Sequence, residues 1–237
     1  MAANYKMHAE LGRFELRGSD VRGILGATYT GRSIDVEGGY VAAKAWVESY
    51  EASPQERPDL ERLLLTSLHL APETIFDAPV FRGRFLSEPP SSLDEFGPPP
   101  EHTRRGRYNA EEIPVLYLCS TRAGVIRELG PSPVGRELWI RQFRILPELW
   151  MADARELPID SLAAAVFWLI EHGQDRCKFP RIGERIGHLI SCDYDGLIVP
   201  GVRGEPTELY WNAVVFRPAN RWVRLIEENE QPEAAGM

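Results

Sequence analysis

The sequence predicts an α+β fold, on three observations. Short apolar runs of strand length are interleaved with longer stretches of helical pattern. The interleaving lacks the regular strand–helix–strand unit that builds a doubly wound parallel sheet. The 237 residues, 43% of them hydrophobic, are enough for one large domain or for one domain with an extension.

Composition narrows the function classes. A formal charge of −8 argues against broad binding to nucleic acid or to a membrane surface, while leaving room for a local basic pocket. Cys119, Cys177 and Cys192 are odd in number and form no CxxC pair, which fits free thiols in a reducing compartment. His8, His69, His102, His172 and His188 have no Cys or Asp at a ligand spacing, so no metal site is expected. "DYDG" lacks the later acids of a calcium loop. The N-terminus has no apolar h-region, and the apolar stretch from Leu162 to Ile170 is too short for a bilayer; a cytoplasmic protein is expected. Nucleotide loops of the GxGxxG and GxxxxGK[ST] types, HExxH and GxSxG are absent.

Along the chain, residues 1–75 read as an N-terminal helical extension. "YVAAKAWVESYEA" and "PDLERLLLTSLHL" carry its helical patterns, with Pro58 and Asp59 opening the second. The extension would pack on the main domain or on a partner. A main domain over 76–218 begins with a strand from Val80 to Phe85. The proline-rich loop "SEPPSSLDEFGPPPEHTRRG" follows, either a lid or a surface excursion. "PVLYLC" reads as a buried strand with Val115, Tyr117 and Cys119 on one side and Leu116 and Leu118 on the other. The next helix has Ser120 or Thr121 as its cap and ends at Gly130 and Pro131. "RELWIRQFRIL" reads as a strand, irregular in places. Helices follow in "PIDSLAAAVFWLIEHG", capped by Asp160 or Ser161, and in "PRIGERIGHLIS". Strands close the domain at Gly196–Val199 and in "LYWNAVVF", and a C-terminal segment over 219–237 ends in the polar, acidic tail "EENEQPEAAGM", which reads as disordered.

Glu128 sits in the last turn of its helix, where the helix dipole disfavours an acid. Just before the preceding strand, Arg104, Arg105 and Arg107 gather in an acidic chain. These residues fall into an ordered pattern: "FRGRF", a proline-rich loop, "GRYN", "PVLYLCSTRAGVIREL", then "YDGLIVPGVRG" and "YWNAVVF". From about Phe76 to Phe216 this pattern resembles the RES domain family. The resemblance implies an ADP-ribosyltransferase-like split β-sheet with flanking helices. It also implies an enzyme that takes NAD as substrate rather than as cofactor: a toxin that hydrolyses or phosphorolyses NAD, or transfers ADP-ribose to protein. The implied partner is an Xre-like antitoxin or an immunity protein; homo-oligomerisation is left open.

Matched position by position, the resemblance places the family's early Arg on Arg82. The turn before the strand falls on Gly106, Arg107, Tyr108 and Asn109, the strand Tyr on Tyr117 and the helix Glu on Glu128. The family Ser falls on Gly201, a departure that also admits a non-catalytic binding module. NAD chemistry suits these residue types. Guanidinium groups pair with pyrophosphate oxygens, which assigns Arg82 and Arg107 to the anion, supported by Arg84, or by Arg104 and Arg105 if these are not simply solvated. Nicotinamide leaves as a neutral ring, so the need is a carboxylate beside the oxocarbenium-like ribose. Glu128 is either that group or a surface acid paired with an arginine. Tyr117 is a stacking residue or a core tyrosine, and Tyr108 and Asn109 shape the turn below the phosphates or are turn residues only. Transferases of this kind often carry an acid two residues before the main Glu; Ile126 stands there, in favour of water or phosphate as acceptor.

Overall fold

The computed structural model describes residues 7–8, 13–14, 44–45, 47–53, 65, 68–70, 74–97, 106–110, 114–157, 162–172, 180–201, 210–216, 223–224 and 233–234. Arg104, Arg105, Cys177 and the capping candidates Asp160 and Ser161 lie outside these residues, as does most of the second N-terminal helical pattern. In order the elements are β1 (Met7–His8), β2 (Arg13–Phe14), β3 (His69–Leu70), α1 (Thr74–Asp77), β4 (Val80–Leu86), β5 (Leu116–Cys119) and α2 (Arg122–Leu129). They continue with β6 (Glu137–Ile145), β7 (Met151–Asp153), α3 (Leu162–His172), α4 (Pro180–Asp193), β8 (Gly196–Pro200), β9 (Trp211–Val215), β10 (Val223–Arg224) and β11 (Glu233–Ala234). The fold is α+β.

β1 and β2 pair with each other, and the other nine strands form one sheet in the order β10-β6-β4-β5-β9-β8-β7-β3, with β11 also on β6. Its pairs are antiparallel except β7 with β8. β6, expected to be irregular, is a continuous nine-residue strand. The C-terminal segment supplies β10, and the tail expected to be disordered supplies β11; both pair with β6. Strands β3 and β7 were not anticipated.

Side-chain alternation divides the core. On one face, Val80, Leu116, Leu118, Phe143, Ile198, Ala213 and Val215 pack under Ile75 of α1 and Phe96 of the loop after β4. On the other, Leu197, Val199 and Val214 meet α3 through Val166, Phe167 and Ile170, and α4 through Ile182, Ile186 and Ile190. The extension joins this second layer. Val47 is fully buried in it, and Glu51 accepts the backbone N–H of Ile182 in the first turn of α4 at 2.8 Å. A third cluster sets Val125 of α2 against Phe81, Cys119, Leu138 and Ile140.

The sheet is continuous except between β4 and β5. β4 runs in register with β6 from Val80–Phe143 to Leu86–Glu137, but its one register pair with β5 is Phe81–Cys119. Beyond that pair the two strands part, and the gap is the origin of the cleft described below. The segment Arg107–Tyr108 lines this gap and rests on α4. A Cβ on Gly183 would lie 1.9 Å from the Arg107 carbonyl oxygen, and one on Gly187 would lie 1.9 Å from that of Tyr108. The two glycines, one helical turn apart, let the α4 backbone seat the segment directly. Replacing Gly187 with Ala therefore pushes the turn outward and should lower stability by about 1–3 kcal/mol, the usual cost of overpacking. A urea melt of Gly187→Ala indistinguishable from that of the parent contradicts this seating.

Candidate active site

The turn before β5 is fastened from three directions. Gly106 N–H donates to the Asn109 carbonyl at 3.3 Å, closing it. The Tyr117 hydroxyl donates to Asn109 Oδ1 at 2.9 Å and accepts from Tyr108 N–H at 3.2 Å. The Tyr108 ring is buried against Phe167 of α3, with ring centroids 6.2 Å apart, and its hydroxyl donates to Glu171 Oε1 at 2.6 Å. Burial first, then the Glu171 carboxylate, raise the Tyr108 phenol well above its ordinary value, so it remains a donor. These bonds hold Arg107 at a fixed place over the gap.

Arg107 bridges two acids. Its Nη1 lies 2.5 Å from Glu171 Oε2, and its Nη2 lies 3.7 Å from Glu128 Oε2. The Glu171 side chain is 0% exposed, that of Arg107 14% and that of Glu128 18%. Burial alone would depress the Arg107 guanidinium; Glu171, then Glu128, outweigh it and raise it above its ordinary value. Glu128 stands in the last turn of α2, whose cap is Thr121, accepting from Gly124 N–H, and whose end is Gly130 at φ 71°. Oε1 of Glu128 accepts from the Tyr210 hydroxyl at 3.0 Å and from Asn212 Nδ2 at 2.9 Å. Three partners thus oppose the cost of an acid at a helix C-terminus.

Arg82 comes from β4 and is 8% exposed. Its Nη1 donates to the Tyr117 carbonyl across the gap at 3.1 Å, and its Nη2 to the Gly97 carbonyl at 3.2 Å. Arg84 shares the Gly97 carbonyl at 2.6 Å, and the Nε atoms of both arginines are buried without a hydrogen bond. Burial, then the charge of Arg84, lower Arg82 to about 9, and it stays protonated at neutral pH. The Gly97 carbonyl anchors the proline-rich loop on these two cations.

Arg82, Arg84, Gly106, Arg107, Tyr108, Tyr117, Glu128, Glu171 and Asn212 all line one cavity of about 310 Å³. Asn109 is behind it, holding Tyr117. Gly201 is not among its lining residues; its N–H donates to the Tyr210 carbonyl at 2.8 Å. Glu171, Tyr210 and Asn212 were not singled out from the sequence. The one signal for Glu171 is that it is the sole ionisable residue from 162 to 171, inside an otherwise apolar helical run. Among the described residues no group of His, Cys, Asp and Glu could hold a metal ion, and no helix is long and apolar enough to cross a membrane.

The RES domain family matches residues 56–233, three quarters of the chain. The chain belongs to the RES domain family. No curated protein and no solved structure matches it. RES domains have an ADP-ribosyltransferase-like fold, and the family is associated with NAD-processing activity. The RES match starts before residue 76 and ends beyond 218, the bounds expected for the main domain, and so takes in β3, β10 and the first residue of β11.

Within this RES domain the two acids differ in what their removal does. Glu171→Gln leaves Arg107 buried beside a neutral amide and should cost about 3–5 kcal/mol of stability, as for a broken buried ion pair. Glu128→Gln, at the longer contact and in a more open place, should cost under about 1 kcal/mol. Equal losses for the two variants in chemical denaturation would contradict the separation.

Proposed function

We propose that the chain is a RES-type toxin that degrades NAD by cleaving its nicotinamide–ribose bond. One observation carries this reading: Arg82, Arg107 and Glu128, drawn from three different elements, line a single cavity. Among the described residues, the hydrogen-bond partners of Arg82 and Arg84 are carbonyl oxygens, with no carboxylate between them. A buried cation beside a half-buried one, both held by carbonyl oxygens among the described residues, favours a ligand that brings an anion, and a pyrophosphate does so.

With the pyrophosphate at Arg82 and Arg84, the ribose lies toward Glu128. The C1′–N bond breaks with its electron pair going to the nicotinamide nitrogen, which becomes neutral, and positive charge develops on the ribose. Glu128 carries a negative charge held in place by Tyr210, Asn212 and Arg107. It stabilises that charge in the transition state more than in the ground state. Arg107, already committed to two carboxylates, orients Glu128 rather than clamping phosphate. Water then bonds to C1′ and loses a proton, giving ADP-ribose, nicotinamide and a proton; phosphate in place of water gives the phosphorolysis product. Ile126, two residues before Glu128, is exposed and apolar, which favours these small acceptors over transfer to a protein side chain. An Xre-like antitoxin or an immunity protein is the partner this reading calls for, in a cytoplasmic setting. The Gly201 departure favours a second reading, a nucleotide-binding module without turnover.

Purified protein should release nicotinamide from NAD, with or without phosphate. Glu128→Ala should lower the rate by roughly 10²–10³, as for loss of one preorganised electrostatic group. Intact NAD after incubation with folded protein, in both buffers, contradicts the proposal; tight NAD binding in the same sample supports the module.

A further inference from the structure

We propose that Tyr210 is a positioning residue for Glu128, and that position 201 is glycine because the Tyr210 ring fills the space a side chain would take there. The inference rests on the catalytic reading of Glu128 given above.

Gly201 and Tyr210 extend the β8–β9 ladder by one step. Pro200 is in register with Trp211, and Gly201 N–H donates to the Tyr210 carbonyl at 2.8 Å. Residues so placed have neighbouring Cβ positions. Here the tyrosine ring lies over its partner: a Cβ on Gly201 would come within 2.1 to 2.5 Å of three ring carbons. The other wall is Gly124 in the first turn of α2, where a Cβ would come within 2.7 Å of the same ring. The ring is therefore slotted between two bare backbones, one on β8 and one on the helix that carries Glu128. Contact with that helix sets the distance from the phenol oxygen to the acid.

The consequence is geometric control of one carboxylate. Tyr210 and Asn212, two residues apart on one strand, present their side chains to the same side. Both donate to Glu128 Oε1, at 3.0 and 2.9 Å, while Oε2 faces the Arg107 guanidinium at 3.7 Å. With donors on one oxygen and a cation on the other, rotation of the carboxylate is opposed from both ends. Tyr210 is buried and is not among the residues lining the cavity, whereas Glu128 and Asn212 are. It acts through Glu128 rather than on a substrate. A glycine at 201 is thus the structural condition for a hydroxyl delivered from position 210.

The test compares NAD turnover by the parent chain, Glu128→Ala, Tyr210→Phe and Gly201→Ala, with melting temperatures for each. Tyr210→Phe keeps the ring and removes the hydroxyl. It should lower kcat roughly tenfold, the low end for a lost hydrogen bond to a charged group, with KM within about twofold and the melting temperature retained. Gly201→Ala drives the ring off its seat and should lower both kcat and melting temperature. Parental kcat in Tyr210→Phe, or a change confined to KM or to melting temperature, overturns the positioning role. Parental behaviour of Gly201→Ala overturns the steric half. No turnover by the parent chain, or full turnover by Glu128→Ala, defeats the catalytic reading itself and this inference with it.

Discussion

The guanidinium of Arg107, held between Glu171 and Glu128, is the interaction on which the site depends. A buried cation needs an anion, and the fully buried Glu171 provides it at 2.5 Å. That pair decides where the turn before β5 must lie. The rest of the local structure follows from it: Tyr108 and Tyr117 brace the turn, while Gly183 and Gly187 remove the side chains that would keep α4 away. What is left of the Arg107 charge reaches Glu128 at 3.7 Å, in a setting open enough for a substrate. One acid is spent on structure so that the other can be aimed.

The second constraint is the parting of β4 from β5. A sheet whose strands separate leaves carbonyl groups without ladder partners, and buried carbonyls need donors. Arg82 satisfies the Tyr117 carbonyl across the gap and, with Arg84, the Gly97 carbonyl of the loop beyond β4. The same atoms that repair the sheet concentrate positive charge in the cleft of a chain whose net charge is −8. Structure and anion affinity are therefore not separable at Arg82: its burial lowers it to about 9, and an anion arriving in the cleft would relieve that cost.

The sequence made the long elements legible because their apolar residues repeat often enough to show a period. β4, β5, β8 and β9 and helices α3 and α4 all belong to this group. β3, β10 and β11 are two residues each and β7 is three, too short for alternation to register. β11 also sits in a polar, proline-flanked tail, where pairing with β6 rather than hydrophobicity creates the strand. The ordered arginine–turn–strand–glutamate pattern pointed to Arg82, Arg107, Tyr117 and Glu128 as a group, and these residues do line one cavity. Glu171 was hidden because an acid at the end of an apolar helix looks like a solvated terminus until a distant arginine is found beside it. Gly201 read as a loss because the ring that covers it comes from the opposite strand. Linear spacing does not register that kind of complementarity.

The most direct measurement is a crystal structure of the chain with an NAD analogue whose ribose ring oxygen is replaced by carbon, so that the bond to nicotinamide survives. The account predicts the pyrophosphate against Arg82 and Arg84, and the carbon bonded to nicotinamide beside Glu128 while Arg107 still joins Glu128 to Glu171. An analogue bound outside this cavity, or with its pyrophosphate at Glu128 and its nicotinamide end away from it, contradicts the account.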